Sequence, residues 1–174
     1  MPEWCLRFGI VPLANQQPFS REEAAAYTER LLALGAENGI DRLGVAPATT
    51  MQRARETLHA RKSLGLHDTM QFTYRNPDRS TNPQVSVPNA QAMIVGACSY
   101  ATDAPPAPLQ LSARVARYAW ANYYESLREG LGVVSDALRA DGWNAQVFVD
   151  HNALVDRESA YLAGLGWYGK HANL

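Results

Sequence analysis

The sequence is short of cysteine, of charge of one sign and of long apolar runs, and each shortage removes a class of function. Only 2 of 174 residues are cysteine. Cys5 and Cys98 stand in different contexts. They are too few for a disulfide framework, a four-cysteine zinc site or a cysteine-ligated cluster, so a reducing cytoplasm is the expected setting. The 16 Lys and Arg against 17 Asp and Glu give a formal charge of −1, with no global basic field. Contact with nucleic acid would therefore have to come from a local cluster. Arg7, Pro12, Asn15 and Pro18 interrupt the apolar residues of the leader, leaving no signal-peptide core, and nothing later approaches a membrane span. His59, His67, His151 and His171 lack metal-ligand spacing.

What is present is 47% hydrophobic residues, enough for one core and, at this length, one domain. Residues 1–19 read as an irregular leader and 20–174 as the domain, with an incomplete C-terminal edge where a longer homologue would continue. Ser20 and Glu23 have capping-box spacing, and helical periodicity follows until Asn38-Gly39. Ile40 to Ala46 reads as a first strand, closed by Pro47. Thr49 or Thr50 caps a second helix to about Leu64. Tyr74 to Asn89 reads as a long ordered or partly ordered loop, of a kind often functional.

Ala92 to Ser99 is apolar throughout, as in a strand covered on both faces. Tyr124, Leu127, Leu131, Val134 and Leu138 share a helical face, and Ala145 to Val149 is a third strand candidate. The alternation predicts an α/β fold, a three-layer-like domain with a small, mainly parallel sheet flanked by helices. Its ligand site would lie beyond the carboxyl ends of the strands, where Asp150 falls.

Gly164-Leu165-Gly166-Trp167-Tyr168-Gly169-Lys170 satisfies both the GxGxxG and the partial Walker A patterns. Those loops follow a strand, whereas Leu154 to Ala163 reads as a helix, so a helix C-cap and tight turn is the competing reading. Asp150 is either a proton donor at a strand end or an N-cap for the next helix. Asp156-Arg157-Glu158 is either a catalytic cluster or a solvated helix face. The run Arg117 to Tyr124, with Trp167-Tyr168, either walls a large flat ligand or packs in the core, and for Tyr124 core packing is the expectation. Arg75 and Arg79 either hold phosphates or are solvated.

Taken together, MQFTYRNPDRS (70–80), ARYAW with a downstream Tyr-Tyr (116–124), Val149-Asp150 and DRESAYLAGLGWYGKHANL (156–174) resemble the tRNA epoxyqueuosine reductase family. The resemblance covers essentially the whole chain after the leader. It implies the cobalamin-binding N-terminal domain of the epoxyqueuosine reductase and reductive dehalogenase type, ending before the ferredoxin-like part that carries two [4Fe–4S] clusters. It further implies reduction of epoxyqueuosine at the tRNA wobble position, with Asp150 as proton donor. By the same resemblance Arg79, Ala116 and Arg117 lie along the corrinoid, and Arg157, Lys170 and His171 near the corrinoid or the tRNA phosphates. The partner is a tRNA with a queuosine-type wobble modification, and the chain is expected to be monomeric. This sequence departs from the family wording at Tyr123-Tyr124-Glu125 and His151-Asn152-Ala153. The rival expectations are a catalytically silent corrinoid- or RNA-binding remnant and a nucleotide-binding domain built on the Gly164–Lys170 loop.

Overall fold

The computed structural model describes residues 19–101, 113, 115–149 and 154–170. The leader up to residue 18, Asp150 and His171 lie outside them. The first helix, α1 (Arg21–Glu37), starts with the expected capping box, Ser20 and Glu23 each bonding the other's backbone N–H. It stops where Gly39 takes a φ of 82° and Ile40 N–H donates back to Gly35 O at 3.0 Å. Strand β1 (Arg42–Pro47) follows, then α2 (Gln52–Ser63), which is N-capped by Met51 without a side-chain bond rather than by Thr49 or Thr50.

The 74–89 stretch is ordered by two four-residue helices, α3 (Pro77–Ser80) and α4 (Pro83–Ser86). Each begins with proline after an asparagine whose side chain accepts a backbone N–H. Strand β2 (Ala92–Ala97), a single 3₁₀ turn at Arg117–Ala119, α5 (Tyr123–Ala140) and α6 (Asp156–Leu162) complete the order.

The strand pair corrects the expected mainly parallel sheet: β1 and β2 run antiparallel, from Arg42 opposite Ala97 to Pro47 opposite Ala92. A parallel pair needs a crossover that returns the chain to the opposite end of the sheet. Here Ala48 N–H donates to Gln91 O at 2.9 Å, so residues 48–91 leave and re-enter at the same end, and α2 packs on α3 instead of bridging the strands. The third strand is also corrected. Among the described residues, 144–148 carry no strand, and Ala145 O is occupied by Arg139 Nε and Nη2 at 3.0 and 2.7 Å.

Helices cover both faces of the strand pair. A Cβ on Gly96 would touch Leu127 and Leu131 of α5, and one on Gly44 would lie 2.3 Å from Ala163 O at the end of α6. The glycines thus permit close approach on opposite faces, because opposed residues share a face and neighbours alternate. Leu31, Val134, Leu138 and Trp143 form the core between α1 and α5, with Tyr27, Ile94, Ala137 and Ala145 against it.

Candidate functional site

The segment after α2 is tied down by polar contacts that leave two of its cations free to act. Arg61 Nε donates to Tyr74 Oη at 3.1 Å, Lys62 Nζ to Arg75 O at 3.3 Å, and Ser80 Oγ to Thr73 O at 3.0 Å. Asp78 pairs with Arg55 at 2.6 Å and with His59 at 3.0 Å. The His59 hydrogen bond and the Arg55 charge hold its carboxyl below the usual range. Beside this frame lies an open cavity of about 670 Å³ lined by Gln71, Phe72, Arg75, Asn76 and Arg79. Arg79 is thus one of the residues lining a recess. Ala116, Arg117, Arg157 and Lys170 do not line this recess.

Ala116 and Arg117 open the 3₁₀ turn, both exposed, with the guanidinium of Arg117 5.8 Å from the Trp120 ring centre. Trp120 Nε1 donates to Val115 O at 2.9 Å. Tyr118 and Tyr124 are exposed, and Tyr123 packs against Tyr100 with centroids 6.0 Å apart and the rings tilted by 47°. Core packing for Tyr124 is thus corrected. It sits in the first turn of α5, ahead of the buried face that begins around Leu127 and Gly130. Trp167 is 79% exposed.

The second polar centre was read in sequence as a choice between a catalytic cluster and a solvated face, and one of its three residues is neither. Glu158 is 3% exposed. Arg53 of α2 grips it with Nε to Oε1 at 3.1 Å and Nη2 to Oε2 at 2.6 Å, and Tyr168 Oη donates to Oε2 at 2.8 Å. The guanidinium also lies 4.1 Å from the Tyr161 ring centre and 4.9 Å from that of Tyr168. Burial, then the bond to Glu158, pushes the Tyr168 hydroxyl up to about 12, so it stays a donor through the neutral range. This clamp joins α2 to α6 and to the loop ending at Lys170. Arg157 and Lys170, both exposed, flank it in sequence.

The glycine-rich loop follows a helix. Gly164 has a φ of 74°, Gly164 N–H donates to Tyr161 O at 3.1 Å and Leu165 N–H to Ala160 O at 3.0 Å, the pattern that closes a helix C-terminus. No described residue after Gly164 enters a helix. Both features remove the context a phosphate-binding glycine loop needs. Asp150 itself lies outside the described residues. The residue before it, Val149, is buried, and its carbonyl accepts from Arg128 Nη2 at 3.4 Å, which ties that end of the segment to α5. No described helix is long and apolar enough to cross a membrane.

Helices on either face of a two-stranded antiparallel sheet define a mixed α/β domain. The family model described as epoxyqueuosine reductase QueG, DUF1730 matches residues 80–151. An epoxyqueuosine reductase of Synechococcus sp. is 29% identical over 88% of this chain and 48% of its own length. One of Xanthomonas campestris pv. campestris is 30% identical over 89% of this chain and 46% of its own. A crystal structure of selenomethionine-labelled epoxyqueuosine reductase superposes with a TM-score of 0.73 at 24% identity, covering 85% of this chain and 41% of that one. A second, of the enzyme with a tRNA-Tyr epoxyqueuosine-modified stem loop, gives 0.71 at 24%, with 85% and 40% covered. Over most of its length the chain is similar to epoxyqueuosine reductases, and it spans about half the length of the curated relatives it matches.

Proposed function

We propose that the chain is the N-terminal, cobalamin-binding part of an epoxyqueuosine reductase, acting as a cytoplasmic monomer on tRNA with epoxyqueuosine at the wobble position. Cobalamin, when bound, supplies the electrons for reducing the epoxide, and the clusters that feed it belong to a further region. The residues of this chain bind, orient and supply a proton. The observation that carries the reading is the exposure of Tyr118, Trp120, Tyr124 and Trp167, with the Arg117 guanidinium 5.8 Å from the Trp120 ring centre. A broad apolar wall with a few polar anchors fits the chemistry of a corrinoid. Arg79, Ala116 and Arg117 hold the corrinoid edge, while Arg157, Lys170 and His171 hold the corrinoid or the RNA. A Bacillus subtilis epoxyqueuosine reductase of the same fold, TM-score 0.66, was solved with an aspartate-bearing catalytic loop swung out of its active site.

Asp150 is the proton donor to the departing epoxide oxygen, since a carboxylic acid is the least the chain must provide for that step. The test is Asp150→Asn in this chain joined to the cluster-bearing half of a relative. Epoxide reduction falls by roughly 10²–10⁴-fold while cobalamin stays bound. Near-normal turnover would refute the assignment and move the search to Tyr118, Tyr123 and His151.

A further inference from the structure

Residues 166–170 form neither helix nor strand, and a single polar contact holds them. Among the described residues their backbone makes no hydrogen bond, and the one side-chain hydrogen bond of the stretch runs from Tyr168 Oη to Glu158 Oε2 at 2.8 Å. Leu165, just before the stretch, still packs on β1, its Cδ2 lying 3.1 Å from where a Cβ on Gly44 would be. From Gly166 onward the anchor is Tyr168. Its hydroxyl turns in to the buried Glu158, while Trp167 beside it is 79% exposed and Lys170 is exposed as well. The acceptor is itself fixed, because the Arg53 guanidinium takes both oxygens of Glu158 and lies against the rings of Tyr161 and Tyr168.

Burying an acid against an arginine adds little to stability over apolar packing of the same volume, since desolvation offsets the attraction. What the planar fork adds is direction: two N–H···O bonds leave the carboxylate one orientation, with Oε2 turned to the Tyr168 hydroxyl. We infer that Arg53, Glu158 and Tyr168 are positioning residues: they touch no ligand, and they hold residues 166–170 so that Trp167 and Lys170 are presented in one arrangement. The same helix, α2, holds residues 74, 75 and 78 through Arg61, Lys62, Arg55 and His59, so it sets the placement of both stretches. The inference rests on the proposed function for the corrinoid that Trp167 and Lys170 meet, though not for the hold on the loop. Without the hydroxyl bond the stretch has to be ordered on binding, which weakens affinity by about two- to tenfold for each side chain immobilised.

The test compares the chain with three variants. Tyr168→Phe removes the hydroxyl and keeps the ring against Arg53, and Arg53→Met/Glu158→Leu removes the acceptor without stranding a charge. Tyr27→Phe is the control, deleting a hydroxyl of the same kind, bonded to Asp141 at 2.9 Å between α1 and α5, far from the loop in sequence. Two quantities are measured: the heteronuclear NOE of the Trp167 indole N–H, identified by its loss in Trp167→Phe, and the affinity for hydroxocobalamin. Urea unfolding ranks the stabilities. The NOE should fall and cobalamin binding should weaken by about two- to tenfold in Tyr168→Phe and in the double variant, and both should stay at the parent values in Tyr27→Phe even where its stability loss matches theirs. A Tyr168→Phe chain with the parent NOE overturns the positioning role, as does a Tyr27→Phe chain that loses NOE and affinity alike, the mark of a purely structural effect. A loosened loop with unchanged affinity overturns the presentation to the corrinoid and leaves the proposed function standing. A parent chain that binds no corrinoid overturns the proposed function, while the NOE still decides the hold on the loop.

Discussion

Cutting the clamp at Arg53 is the most discriminating perturbation of the fold, because it leaves an acid buried. In Arg53→Ala, Glu158, whose side chain is only 4% exposed in the intact pair, keeps the Tyr168 hydroxyl but loses both guanidinium bonds. Removing one partner of a buried pair costs about 3–5 kcal/mol. The Arg53 side chain is 52% exposed, so water reaches the vacated position and the low end applies. With the cation lifted from two tyrosine rings at about 0.5–1 kcal/mol each, the loss comes to roughly 4–5 kcal/mol. Urea unfolding should show the midpoint drop with an unchanged m value, and Tm should fall by about 8–20 °C. Replacing both partners with apolar residues, Arg53→Met/Glu158→Leu, should be milder than Arg53→Ala, since no charge is then stranded. An Arg53→Ala variant within about 0.5 kcal/mol of the parent, or a double variant worse than the single, would refute this reasoning.

Strong alkali should weaken the fold through two buried tyrosines. Tyr27 and Tyr168 are both pushed up to about 12, chiefly by burial and then by bonds to Asp141 and Glu158. A raised folded value means stability that is intact below the ordinary value near 10 and lost as pH climbs toward 12, which a pH series of thermal melts would reveal. Tyr168→Phe should flatten that decline, and an unchanged profile would count against the clamp. At the acid end, Asp141 is held below its ordinary range by the hydrogen bond from Tyr27 and by Arg30. Its contribution is present above the normal carboxylate range and disappears as pH falls through it, so Asp141→Asn should remove part of the acid sensitivity. Gly44→Ala should cost about 1–3 kcal/mol by driving a Cβ against Ala163 O, while Gly132→Ala, with nothing within 4 Å, should stabilise α5 by about 0.5–1 kcal/mol. Chemical denaturation of the two variants would separate close approach from helix propensity.

The elements legible in the sequence are those whose signals are local. Ser20 with Glu23, Asn38-Gly39, Asp141-Gly142 and the apolar run from Ala92 each mark a boundary within a few residues. Strand direction is not a local signal. A helix between two strands reads the same whether the chain crosses the sheet or returns to its starting edge, and the pairing of Ala48 with Gln91 decided for the latter. Ala145 to Val149 has strand composition, yet its first carbonyl is taken by Arg139. The clamp was hidden for another reason. Arg53 and Glu158 lie 105 residues apart, and Asp156-Arg157-Glu158 has the pattern of a solvated helix turn, with nothing local to show that α2 would cover its third residue. The cavity was half legible: Arg75 and Arg79 stood out in the loop, whereas the withdrawal of Asp78 toward α2 could come only from the fold.

The central claim is that this domain holds a corrinoid, and titration of the purified chain with hydroxocobalamin tests it most directly. The account predicts a corrinoid absorption spectrum that co-elutes with the protein and saturates at one equivalent, and that weakens in Arg117→Ala and in Trp120→Ala. Protein that elutes free of corrinoid at every cobalamin concentration, with its fold intact by circular dichroism, would contradict it.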